Sequence, residues 1–280
     1  YQQAVDELLR QMERRNAELD LSWTQVRLDQ LKTSPSIAPL NSDLVITIGS
    51  AAAEYMFEQP SNSALLCSFI TRSAYDAIAA QNPTREHAHA IFMDQPMERF
   101  LALAMLLRQK QPRYKIGVLQ GQSLSSMSQF ELADVDVNSA ILLADKNPAA
   151  TIEPLVRSND VFIVTPSSAY INRLVARLTL QLSMKYKKPV IGFSQKYAEA
   201  GALLSLYASP EDIGKSTAQT VIDWLESGQR ELSSAGGGQH YTISLNSHVA
   251  RKYRMQLNIE QLYSKLPAKE QQLRLRMGSK

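Results

Sequence analysis

Two segments restrict the architecture more than any other feature. "DLVITIGSAAAEYM" (Asp43 to Met56) runs from an acid through five apolar or β-branched residues into Gly-Ser-Ala and then a helical pattern, and "DVFIVTPSSAYINRL" (Asp160 to Leu174) repeats the order. A continuous apolar run of this length fits a strand covered on both faces, and small residues at its end fit a turn into a helix. Further strand candidates alternate with helical patterns: "LSWTQVRL", "ALLCSFI", "AHAIFM", "YKIGVLQGQS", "VDVNSAILLA" and "KPVIGFS". Alternating β and α predicts parallel sheets flanked by helices. With 280 residues the chain exceeds a typical single core, which favours two lobes.

Helix signals place the elements between the strands. Val5, Leu8, Leu9 and Met12 lie on one helical face near the start of the chain, so the chain is expected to continue upstream of Tyr1, its targeting segment removed. A helix over 96–111 has Asp94 as its expected cap and Pro112 as its stop. Ile171, Leu174, Val175, Leu178 and Leu182 form the apolar face of another, which ends in Lys185, Lys187 and Lys188. A third has Ser209 as cap, Pro210 at its first position, acids in its first turn and Gly228 after its end. "SSAGGGQ" reads as a linker, and "YTISL" as a last strand before a helix from Asn246 to about Leu266. The basic end "LRLRMGSK" is read as solvated.

Several function classes are excluded. A content of 44% hydrophobic and 20% charged residues is that of a globular chain, without a run of roughly 18 apolar residues to span a bilayer. The net charge of +3 and the absence of a nucleic-acid module argue against nucleic acid as partner. "GSAAAE" is neither a P-loop nor a dinucleotide loop, no G-x-S-x-G elbow is present, and no acid–base set converges. No catalytic residue, cofactor or metal is expected: His87 and His89 share a strand face without an acidic or sulfur partner, and Cys67 sits in an apolar run.

Ligands of parallel α/β sheets bind where strand C-termini meet helix N-termini, whose free N–H groups favour anions. Four loops have that placement: Gly49-Ser50-Ala51, Thr71-Arg72-Ser73, Gly121-Gln122-Ser123 and Thr165-Pro166-Ser167-Ser168. For each alone, a tight turn at the glycine or a helix cap at the serine explains the residues as well. Their recurrence in both halves points to a site.

In order and spacing these segments resemble the substrate-binding proteins of ABC-type uptake systems, in the branch that includes aromatic-amino-acid binders, with the type I periplasmic-binding fold. "DLVITIGSAAA" is similar to that family's strand followed by Gly-Thr/Ser-x-Ala-Ala, and "YKIGVLQGQS" to the first strand of its second lobe. "KPVIGFSQKYAEAGALLSLYASPEDIGKSTAQTVIDWLESG" and "YTISLNSHVARKYRMQLNIEQLYSK" resemble its closing half. The resemblance implies two lobes joined by crossing strands, hinged about a ligand. It implies 1–94 and 203–232 as lobe 1, 95–202 and 233–266 as lobe 2, and 267–280 as a tail. It also implies a periplasmic or extracytoplasmic monomer that binds a small molecule and serves an ABC permease. The alternative is a relative without transport that acts as a ligand sensor or protein-interaction module.

Three departures matter. Relatives begin with a strand before the first helix, which is absent here. Amino-acid binders carry an acid after a strand in each lobe; this chain has Thr71-Arg72-Ser73 and Thr165-Pro166-Ser167. A buried ammonium without a carboxylate is costly. Arg72 and Lys196, the latter beside Gln195 after the "KPVIGFS" strand, instead suit a carboxylate, phosphate or neutral polar ligand; Arg72 could equally face solvent or pair with Asp76 or Glu98. Finally, Arg254 stands where relatives have a glycine after the last helix.

Overall fold

The computed structural model describes residues 1–19, 21–33, 42–60, 62–83, 88–108, 112–120, 134–142, 147–166, 172–228, 232 and 238–278. Its first elements are α1 (Gln2–Leu19), α2 (Leu28–Thr33), β1 (Leu44–Ile48), α3 (Ser50–Glu58), β2 (Ala64–Ile70), α4 (Arg72–Gln81) and β3 (Ala88–Phe92). Next come α5 (Met97–Leu106), β4 (Tyr114–Gln120), β5 (Val135–Ile141), α6 (Pro148–Ser158), β6 (Val161–Val164) and α7 (Arg173–Tyr186). The last are β7 (Val190–Gly192), α8 (Gln195–Ala200), β8 (Leu204–Tyr207), α9 (Pro210–Glu226), β9 (Thr242–Leu245), α10 (Ser247–Lys252) and α11 (Ile259–Gly278).

The chain divides into unit 1, Tyr1–Asp94 with Ala208–Tyr241, and unit 2, Gln95–Tyr207 with Thr242–Lys280. The strand Leu204–Tyr207, which the sequence reading gave to lobe 1, pairs with β7 and β9 and so lies in unit 2.

Unit 1 is a parallel three-stranded sheet in the order β1-β2-β3. Alternation along β2 sends Leu65 and Cys67 to one face and Leu66 to the other. The first face packs with Val45 and Phe92 against Ala53, Met56 and Phe57 of α3 and Ile78 of α4. The second packs with Ile91 against Leu8 and Met12 of α1 and Ile213, Val221 and Trp224 of α9. Gly214 explains how closely those helices approach: a Cβ there would stand 2.5 Å from the Ala4 carbonyl oxygen. α9 begins as its sequence predicts, with a reciprocal capping box between Ser209 and Asp212 and Pro210 in its first turn.

Unit 2 is a six-stranded sheet in the order β5-β4-β6-β7-β8-β9, parallel except for the antiparallel β8–β9 pair. β6 is apolar throughout because both its faces are covered. Phe162, Val164 and Leu119 pack there with Ile152 and Val156 of α6 and Val175, Leu180 and Leu182 of α7.

Several expectations require correction. "LSWTQVRL" is not a strand: 21–27 has no regular structure and Trp23 is half exposed. Among the described strands β1 pairs with β2 alone, so this segment has no ladder to join, and alternation without a ladder does not hold a strand. The helix after β4's predecessor begins at Met97, and Asp94 is not its cap; that position is Pro96. Leu174, expected on the buried face of α7, is 66% exposed, and Thr179 and Ser183 are buried in its place. The final helix is two: α10 ends at Lys252, and Arg254 just beyond it holds φ 55°, the left-handed conformation that favours glycine. The expected tail 267–280 belongs largely to α11, which continues through Pro267 because Leu266 and Leu273 are buried and Glu270 pairs with Arg99 of α5.

Candidate functional site

In unit 1 the C-termini of β1 and β2 lead directly into α3 and α4, which places Gly49-Ser50-Ala51 and Thr71-Arg72-Ser73 at the ends of adjacent strands. Gly49 has φ 92°, and a Cβ there would come within 2.8 Å of the Tyr1 ring. The angle therefore requires glycine, whereas the exposed Tyr1 ring could give way to a side chain. Its N–H donates to the Ser68 carbonyl at 2.8 Å and its own carbonyl accepts from Ala53 at 3.1 Å. Gly49 provides no side chain to cap α3. The N–H groups of Ser50, Ala51 and Ala52 consequently have no intramolecular partner among the described residues.

The second loop is closed differently. Thr71 caps α4, its hydroxyl accepting the Ala74 N–H at 3.3 Å and lying 3.3 Å from the Ser73 hydroxyl. The Arg72 N–H donates to Oδ2 of Asp94 at 2.7 Å. Asp94 thus satisfies α4, in place of the helix that follows it. Burial pushes the Asp94 carboxyl above the usual aspartate range, against the opposing pull of the Arg72 N–H and guanidinium. The Arg72 side chain is exposed and lies over the Phe92 ring, 4.2 Å from guanidinium carbon to centroid. No ion pair joins it to Asp76 or Glu98 among the described residues.

Aromatic rings border these loops. Tyr1 and Phe69 have centroids 4.7 Å apart, and Phe69 holds φ 58° where the β2–β3 register shifts between Cys67 and Ile70. A non-glycine residue in that conformation is strained, a condition frequent at ligand sites.

In unit 2, Gly121, Gln122, Ser123, Ser167 and Ser168 lie outside the described residues. Thr165 is 2% exposed and its hydroxyl donates to the Leu119 carbonyl at 3.0 Å, fastening the end of β6 to β4. Gln195 and Lys196 open α8 and are exposed; the Gln195 amide donates to Glu199 at 2.8 Å. Gln195 and Glu199, together with Ser244 and Asn246, border an open groove of about 350 Å³ within unit 2, which Lys196 does not line.

The structure therefore gathers Gly49, Ser50, Ala51, Thr71, Arg72 and Ser73 at one end of one sheet. Sequence reasoning missed Asp94, Phe92, Phe69 and Tyr1 there, and only Asp94 carried a signal, one that pointed to the wrong helix. Among the described residues no group of three His, Cys, Asp or Glu could hold a metal ion, and no helix is long and apolar enough to cross a membrane.

No family model matches the chain, and no curated protein matches it by sequence. Solved structures do. The ligand-free, open structure of a substrate binding protein with adhesive properties from Clostridium difficile is 15% identical, covers 92% of each chain and gives a TM-score of 0.61. A conserved domain protein from Vibrio cholerae is 16% identical over 94% of each chain, with a TM-score of 0.50. An ABC domain in complex with L-Trp from Streptococcus pneumonia is 14% identical over 94% of each chain, with a TM-score of 0.49. At such identities the likeness establishes the fold: α/β, of the two-lobed periplasmic-binding-protein kind, parallel sheets flanked by helices.

Proposed function

We propose that this chain, carrying the periplasmic-binding fold, is an extracytoplasmic solute-binding protein that takes a small polar or anionic ligand and serves an ABC-type permease. One observation carries the reading. Ser50, Ala51 and Ala52 present three N–H groups, unpartnered among the described residues, at the positive end of α3. The exposed Arg72 guanidinium starts the neighbouring helix. A carboxylate or phosphate meets donors and positive charge there. Asp94 does not convert the loop to an ammonium site, since its carboxylate is bound by the Arg72 N–H and burial disfavours its charge.

Among the described residues of these loops no acid, base and nucleophile converge, which favours binding over chemistry. The test is a thermal-shift screen with carboxylic acids, inorganic phosphate, amino acids, nucleosides and sugars. A ligand present at about 100 times its Kd adds about 2.7 kcal/mol of stability, a shift of several degrees. Carboxylates or phosphate should raise Tm, and Arg72→Ala should reduce the rise at least tenfold in apparent affinity. A screen in which no class raises Tm defeats the binding reading. A hit that Arg72→Ala leaves untouched removes Arg72 from the site.

A further inference from the structure

α7 presents to solvent Arg173, Leu174, Arg177, Gln181, Met184 and Lys185, which at 100° per residue fill an arc of about 120°. Leu174 is 66% and Met184 47% exposed. Its sequence, RLVARLTLQLSMKY, contains no acid. Arg173 occupies the first position, where the helix end is already positive, and repels Arg177 one turn on.

α3 has the opposite arrangement. Its sequence, SAAAEYMFE, contains no base, and its exposed residues are Ser50, Ala51, Glu54 and Glu58. Glu54 and Glu58 repel across one turn, and Glu58 stands at the negative end of the helix. Neither the Arg173/Arg177 pair nor the Glu54/Glu58 pair has an ion-pair partner among the described residues. Each helix thus tolerates like charges placed against its own dipole, at the same i,i+4 spacing of about 6 Å.

We propose that α7 of one copy of this chain docks on α3 of a second copy. Arg173 and Arg177 fork onto the carboxylates of Glu54 and Glu58, arginine being suited to paired carboxylate recognition. Leu174 and Met184 are covered beside the partly exposed Tyr55. The contact involves a few side chains on each partner, less than the roughly 800 Å² per partner of a standard stable interface, so the association is weak and salt-sensitive. It revises the monomer expected from the family resemblance and is independent of which ligand is bound.

Sedimentation velocity on the full chain tests it, between about 20 µM and 1 mM protein in low and high salt. The weight-average mass should rise with concentration at low salt and fall back at about 0.5 M NaCl. Arg173→Glu with Arg177→Glu should weaken association at least tenfold, and so should Glu54→Arg with Glu58→Arg. A mixture of the two double variants should regain the mass, since each then offers the charge that the other lacks. Leu174→Ser with Met184→Ser should weaken association without altering its salt dependence. Circular dichroism melting confirms that the variants are folded. A wild-type chain that stays monomeric, or a mixture that fails to regain mass, overturns the proposal. So does α7 binding instead to vesicles of one-third phosphatidylglycerol in phosphatidylcholine without self-association.

Discussion

The carboxylate at the Thr71–Arg72 turn comes from Asp94, twenty-two residues further along, and it binds a backbone N–H, not an ion. Its protonation gives a pH signature. The folded Asp94 titrates above the ordinary aspartate value, with burial as the larger cause and the Arg72 interactions opposing. A raised folded pKa favours the fold while the group is protonated: that contribution is complete below the unfolded value and is lost as pH rises through the folded one. Asp94→Asn keeps an oxygen to accept the Arg72 N–H and carries no charge. Urea unfolding of both proteins between pH 3.5 and 7 should therefore show the stability difference moving in favour of the Asn variant as pH rises. A flat difference would show that the Arg72 attraction cancels burial, and movement the other way that it outweighs burial. The residue explains how much of the candidate site is legible. Gly49, Ser50 and Arg72 follow strand ends, a local pattern that the sequence displays. Asp94 reads as the cap of the next helix, and nothing in the linear pattern reveals that the end of β3, the strand beside β2, brings it to α4.

Among the elements, the final helix shows the same limit on a larger scale. "LRLRMGSK" has the composition of a solvated end, yet Leu273 is 1% exposed, and Glu270 and Arg99 lie at 7% and 6%. The Arg99 Nε–Glu270 Oε2 distance is 2.8 Å, and Nη1 of Arg99 donates to Gln95 at 2.6 Å. Repeating strand-to-helix grammar makes β1, β2, β4, β6 and β7 legible, since each is built around apolar residues that must be covered. α11 obeys no such local rule, because tertiary burial of one charged pair and of Leu262, Leu266 and Leu273 holds it. A buried ion pair is worth little against an apolar replacement, whereas half of one is costly. Glu270→Ala should destabilise unit 2 by about 3–5 kcal/mol in chemical denaturation, by leaving the guanidinium without its carboxylate. Arg99→Met combined with Glu270→Met should cost far less than that single change. Additive losses in the double variant would show that the two side chains act independently and that Glu270 is not what compensates the buried guanidinium.

At the scale of the whole molecule, the chain passes from one unit to the other at Asp94–Gln95, Tyr207–Ala208 and Tyr241–Thr242, and each unit closes its own cores. Leu66 is fully buried between β2 and the α1–α9 pair, and Phe162 is fully buried in β6. Removing either side chain to alanine costs about 2–5 kcal/mol, from lost transfer energy plus the cavity left behind. If the units are separate cooperative bodies, that loss stays where it is made. Leu66→Ala should then lower hydrogen-exchange protection in peptides from 1–94 and 208–241 while those from unit 2 keep theirs, and Phe162→Ala should do the reverse. The denaturation curve of each variant should separate into two transitions, the earlier one belonging to the unit that was altered. Unit 1 has the smaller sheet, three strands against six, so Leu66→Ala is expected to give the wider separation. Equal loss of protection across all peptides in either variant would mean that the three crossings couple the cores into one cooperative body, and a ligand held by unit 1 alone would then stabilise the entire chain.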